Sequence, residues 1–185
     1  PFLTSIRYND WILPVLLLLP LVGAAGILAH GWLARRVPGA TPESVKRQVR
    51  LMAFAYFIAE AIISLGLWWS VNTDAAGWQA YVDLPWIPMW GTRITMGVDG
   101  IALMLILLTT LMMPLAVLGG WTSIREKLHS YYALLLVLTT GMLGVFVALD
   151  LVLFYVMWEV MLVPMYLIIG VWGGQLRLYA SLKFF

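Results

Sequence analysis

Polar residues break this chain of 185 residues into long apolar runs, and the run lengths are the first constraint on its structure. The runs from Trp11 to Leu33, Leu51 to Trp69 and Ile101 to Trp121 each reach the roughly 20 residues that cross about 30 Å of hydrocarbon as a helix. The stretch from Tyr131 to Trp172 would be about 63 Å long as one helix, twice the thickness of the core, so it must fold back on itself. Asp150 marks the break, which predicts a fourth span over Tyr131 to Leu149 and a fifth over Leu151 to Trp172. Gly173 and Gly174 end the fifth span. A sixth apolar segment opens near Leu178 and stops in mid-run at Phe185, as the front part of something longer would. The predicted fold class is all-α: a polytopic transmembrane helix bundle, one membrane domain over residues 1–185, with about five complete spans and the start of a sixth.

The connection over residues 71–98 fits no span. Its Trp78, Tyr81, Trp86 and Trp90, punctuated by Pro85 and Pro88, predict an ordered interfacial segment such as a short hairpin. Cations set the orientation. Arg35, Arg36, Lys46, Arg47 and Arg50 crowd the first loop, Arg125 and Lys127 the third, and Arg177 and Lys183 follow the fifth span, which places these regions on the cytoplasmic side and the amino terminus outside. Asp74 and Asp83 against Arg93 suit the opposite face for residues 71–98.

Composition narrows the function classes. With 63% hydrophobic and 11% charged residues and a mean hydropathy of +0.93, a soluble globule could not hide this much apolar surface. The pI near 9.1 reflects a net charge of only +2, with the cations in loops, so nucleic acid is not a partner. The absence of Cys excludes disulfides, thiolate-held iron–sulfur clusters and cysteine nucleophiles within this stretch. His30 and His129, both near predicted helix ends, are too few for a multi-histidine haem or metal site; they read as interfacial residues able to pass protons near neutral pH. The first apolar run has no small-residue cleavage site behind it and reads as a span.

Glu159 most needs explaining. Nine residues past Asp150, it lies about 14 Å into the fifth span, close to the bilayer centre. An acid there costs about 2.5 to 3.5 kcal/mol, so it must face protein or water, and its charge needs a cation or a hydrated cavity. It reads either as a proton relay or as a fixed neutral hydrogen-bonder between helices. Pro164, five residues on, lacks an amide hydrogen and frees the carbonyl of Val160 beside it. Glu60, flanked by Ala59 and Ala61, sits as deep in the second span; it is either a relay group or a structural hydrogen-bond donor between closely packed helices. Asp99 is placed to cap the third helix and Asp150 to sit in a solvated turn. Pro114, after Thr109 and Thr110, predicts a kink in which the threonines replace lost hydrogen bonds. Lys183 is either an interfacial anchor or a buried cation. No phosphate loop, dinucleotide fingerprint or hydrolytic triad can be assembled.

The run from Phe154 to Gly174, with Trp158-Glu159-Val160-Met161-Leu162-Val163-Pro164-Met165-Tyr166 at its centre, resembles the fifth-helix signature of the antiporter-like subunits of respiratory complex I, in the M-type (chain 4) form. Gly97-Val98-Asp99-Gly100-Ile101-Ala102, after Trp86-Ile87-Pro88, and Leu178-Tyr179-Ala180 with Lys183-Phe184-Phe185 agree with it. The resemblance covers Leu84 to Phe185 by motif and the first two helices only by hydropathy. It implies the amino-terminal part of a longer proton-translocating membrane-arm subunit of an NADH:quinone oxidoreductase, built on inverted helical repeats. Glu159 matches the fifth-helix glutamate that such subunits use in proton translocation, paired with a lysine on a seventh helix beyond Phe185. Glu60 has no counterpart in that pattern. The chain itself would do no redox chemistry: NADH, flavin, iron–sulfur clusters and quinone are expected in partner subunits, and L-type and N-type antiporter-like subunits as neighbours. The location implied is a bacterial inner membrane or, as the alternative, the mitochondrial one. Similar helices in multi-subunit sodium/proton antiporters and membrane-bound hydrogenases supply a rival reading, and a structural scaffold supplies another.

Overall fold

A computed structural model describes residues 7–34, 36, 41–72 and 77–185; Arg35 and Asp74, used above for orientation, lie outside them. The elements run α1 (Tyr8–Ala34), α2 (Pro42–Ser70), β1 (Gln79–Ile87), a 3₁₀ turn (Pro88–Trp90), β2 (Thr92–Val98), α3 (Gly100–Gly119), α4 (Leu128–Val147), α5 (Leu151–Trp172) and α6 (Arg177–Phe184). Helices α1 to α5 are each long and apolar enough to cross a membrane.

The helix ends follow local chemistry more than the limits of the apolar runs. Helix α2 starts at Pro42, well before the apolar run opens at Leu51, because Thr41 caps it by accepting from the Ser44 amide at 3.4 Å and Pro42 takes the first helical position. Lys46, Arg47 and Arg50 are therefore on the first turns of a helix and not in a loop. Asp99 caps α3 by accepting from the Ala102 amide at 2.7 Å. Asp150, expected to be solvated in a turn, is instead the cap of α5, accepting from the amides of Val152 at 2.8 Å and Leu153 at 3.1 Å. The fold-back leaves the amides of the α5 first turn without helical partners, and Asp150 is the side chain in reach.

Residues 79–98 form an antiparallel hairpin, with Val82 opposite Met96, Asp83 opposite Thr95 and Leu84 opposite Ile94. Gly91, at φ +67°, makes the left-handed exit from the 3₁₀ turn. The hairpin docks on the α4–α5 turn: the Leu149 amide donates to the Thr95 carbonyl at 2.9 Å, and Met96 bridges to Ala148.

In lipid, water exclusion contributes little to helix association, so close packing must hold the bundle. Helices α1 to α4 enclose two apolar clusters stacked end to end. At the hairpin end, Ile12, Leu16, Leu67, Leu103, Ile106 and Val147 pack with Ala80, Met96 and Val98. At the other end, Ile27, Ala53, Phe57, Val117, Tyr132 and Leu136 form the second cluster. Helix α5 rides on α4, where Gly141 and Gly144 admit Met161 and Met157: a Cβ on Gly141 would lie 2.7 Å from the Met161 amide nitrogen. Among the described residues, the outward face of α5 is left open at Tyr155 and Val163, which are exposed.

Candidate functional site

Between the two apolar clusters, the same helices carry buried polar side chains: Glu60 and Ser64 on α2, Thr110 on α3, and Thr139 and Thr140 on α4. Each falls between the segments its helix contributes to the two clusters, so together they form a polar layer across the middle of the bundle. Glu60 and Ser64 are one turn apart and share a face. The Ser64 and Thr110 hydroxyls lie 2.7 Å apart and link α2 to α3: one donates to the other, and the accepting hydroxyl donates to its own helix, Ser64 to the Ala61 carbonyl or Thr110 to that of Leu107. Thr140 donates to the Leu17 carbonyl of α1 at 3.3 Å. The prolines add acceptors: Pro114 leaves the Thr110 carbonyl, and Pro20 that of Leu16, without an amide partner.

Glu60 is 1% exposed, and neither carboxylate oxygen has a hydrogen-bond partner. Among the described residues no Lys or Arg pairs with it, the ion pairs being Arg7–Asp10, Lys46–Glu43 and Arg93–Asp83. Among the described residues, Glu60 makes no hydrogen bond to a neighbouring helix. Buried polar groups in folded proteins are overwhelmingly bonded, so two bare carboxylate oxygens make Glu60 a candidate site residue.

Glu159 is differently placed. Met157 and Met161, which face α4, flank it in sequence, and each is about 200° from it around the helix. Glu159 therefore points away from the four-helix core, half-buried, on the face that carries Tyr155 one turn before it and Tyr166 two turns after. The Tyr155 hydroxyl lies within interaction range of its carboxylate. Tyr166 meets Phe185 at the end of α6, with ring centroids 5.5 Å apart. Glu60 and Glu159 are not brought together. Lys183 is exposed, its ammonium 5.8 Å from the Tyr179 ring, and it forms no ion pair with Glu159. Pro164 is buried in α5 one turn from Glu159, and Pro114 is buried in α3. His30 and His129 stack with centroids 5.8 Å apart near the far end of α1 and α4, and the His30 Nε2 lies 3.0 Å from the Gln48 Oε1.

Both glutamates are visible in the sequence as acids within apolar runs, whereas the hydroxyl layer at the level of Glu60 appears only in the packed helices. Its traces in the sequence are the four-residue step from Glu60 to Ser64 and the step from Thr110 to Pro114, which frees the carbonyl of Thr110 itself. Among the described residues, no group of three metal-ligating side chains is assembled.

Residues 148–185 match the family described as NADH:quinone oxidoreductase/Mrp antiporter, TM. The chain is 37% identical over 185 residues to the NADH-quinone oxidoreductase subunit M of Escherichia coli, a match that covers 94% of this chain and 34% of the relative. It is 39% identical over 134 residues to the F(420)H(2) dehydrogenase subunit M of Methanosarcina mazei, covering 71% of this chain and 27% of that one. A chain of the respiratory complex I from Thermus thermophilus with bound NADH shares the fold at a TM-score of 0.70 and 24% identity, over 92% of this chain and 31% of that chain. The chain spans about a third of the length of the curated relatives it matches. Along the stretch it covers, the chain is similar in sequence to the M-type (chain 4) antiporter-like membrane subunits of complex I and shares their helical fold.

Proposed function

We propose that this chain is part of a proton-translocating membrane-arm subunit of an NADH:quinone oxidoreductase, with Glu159 as a proton relay. The observation that carries the reading is a half-buried glutamate halfway along a membrane-crossing helix, inside the family-matched stretch, on a face that the described residues leave partly open. That face is open to a cation from an adjoining helix. Bringing a positive charge toward Glu159 favours its carboxylate and releases a proton; withdrawing the charge favours reloading. One unit of pKa corresponds to about 1.4 kcal/mol, so modest movements suffice. Pro164 supports the site by freeing the Val160 carbonyl next to the acid.

Redox chemistry belongs to partner subunits holding flavin, iron–sulfur clusters and quinone, and L-type and N-type subunits adjoin this one in the membrane arm. The membrane is the bacterial inner membrane, with the amino terminus outside and the cations of the α2 start, of the α3–α4 connection and of α6 in the cytoplasm. The similarity to a subunit of an F420H2 dehydrogenase favours one alternative, the same translocating unit coupled to another electron donor.

The test is proton pumping in sealed vesicles that carry the complete assembly with Glu159→Gln, driven by NADH and compared with wild type at equal assembly. Loss of pumping is expected; unchanged pumping would make Glu159 structural. An assembly that translocates protons with a donor other than NADH would select the alternative.

A further inference from the structure

The end of the bundle opposite the hairpin is hollowed by two adjoining cavities. One, of about 300 Å³, lies between the start of α2 and the α3–α4 connection, lined by Lys46, Arg50, Trp121 and Arg125 with Glu43. The other, of about 310 Å³, shares Lys46 and Arg125 and adds Lys127. Four cations thus meet one acid. That acid, Glu43, is 83% exposed in its side chain and reaches Lys46 at 3.3 Å, a surface contact worth little that a better anion can replace.

Arg50 is held in place by its surroundings. Its Nη2 donates to the Ile124 carbonyl at 3.0 Å and its guanidinium lies 5.9 Å from the Trp121 ring centroid, which fixes it in the cavity wall. Arg125 is steadied in turn by donating from Nε to the Thr122 carbonyl at 3.2 Å. A positioned guanidinium is the group best suited to phosphate oxygens.

The level of the cavities in the membrane identifies the source of the phosphate. The apolar run of α2 begins at Leu51, directly after Arg50, and Trp121 closes the run of α3, so the cavities sit where hydrocarbon gives way to headgroups. On the hydrocarbon side, Leu51, Leu115 and Leu118 are about half exposed. A ligand that satisfies both zones has an anionic head and apolar chains. We propose that this cavity pair binds the phosphate of an anionic phospholipid, held by Arg50, Arg125 and Lys46, with its acyl chains along α2 and α3.

The complete assembly, reconstituted in phosphatidylcholine vesicles doped with photoactivatable phosphatidylglycerol, tests this by peptide mapping of the crosslinks. A parallel arm uses photoactivatable phosphatidylcholine, and a third adds inorganic phosphate as competitor. Crosslinking to residues 43–51 and 118–127 is expected with phosphatidylglycerol, several-fold above phosphatidylcholine, and should fall about tenfold in Arg50→Gln and in Arg125→Gln. Arg125 lies in the α3–α4 connection, outside the helices, so its variant reports even where Arg50→Gln disturbs assembly. Arg36→Gln, at an exposed position, should leave the yield unchanged. Equal crosslinking by both lipids, or full yield in both cavity variants, overturns the proposal. Loss of the crosslinks to inorganic phosphate at physiological concentration would assign the site to a soluble phosphate and overturn the lipid source.

Discussion

Replacing Gly141 by Ala should weaken the seat of α5 on α4, and with it the placement of Glu159. The added Cβ would lie 2.7 Å from the Met161 backbone nitrogen and 2.9 Å from its Cα, where ordinary contact begins at 3.4 Å, so the two helix backbones must part by roughly 0.7 Å. Neither side can rotate away, because the obstacle is backbone. Overpacking of this kind costs about 1 to 3 kcal/mol. Gly144→Ala is the matched control: its Cβ would meet the Met157 side chain, at 2.6 Å from Cγ and Sδ, and a flexible thioether can move. The gain in helix propensity from Gly to Ala, about 1 kcal/mol, is common to both substitutions and cancels in the comparison. The assay is the thermal midpoint of the purified assembly followed by its residual activity, with Gly141→Ala expected to lie below Gly144→Ala. If Gly141→Ala lies no lower than Gly144→Ala, the backbone contact does not hold the two helices.

Three further outcomes follow from the structure. Glu60→Leu removes two buried oxygens that lack partners, so the assembly should gain about 1 to 3 kcal/mol, read as a raised thermal midpoint; a lowered midpoint would show that Glu60 has a stabilising partner in the assembly. Asp150→Ala removes the acceptor for two amides of the first turn of α5 and should cost about 1 kcal/mol, with Asp150→Asn retaining most of it and Asp99→Ala, which loses one such bond, costing less. In the hairpin, hydrogen bonds from Arg93 hold the Asp83 carboxyl below the ordinary carboxylate range. A lowered folded value means that the pair's contribution is complete above the ordinary value of about 3.9 and is lost as pH falls through the lowered one. Proteolysis of residues 79–98 should therefore be independent of pH between neutrality and pH about 5, rise only in stronger acid, and lose that rise in Arg93→Gln.

The sequence by itself determined the number of long apolar helices, the fold-back near Asp150, the cap at Asp99 and the two deep glutamates. Each follows from a local rule: run length against bilayer thickness, a carboxylate one residue before a helix, an acid within an apolar run. Where helices extend past their apolar runs, as α2 does from Pro42, the signal was still local and lay in the Thr41-Pro42 cap. What the tertiary structure decided was which face of each helix is inside. Glu60 and Glu159 read alike along the chain, both acids among apolar neighbours. Only the packing of α5 through Met157 and Met161 onto Gly141 and Gly144 turns Glu159 outward, while α2 turns Glu60 into a layer shared with Ser64, Thr110 and Thr140. Spans that are apolar all round carry almost no amphipathic pattern, so a helix of this kind does not announce its inner face; that is set by where a small residue on one helix lets the next approach.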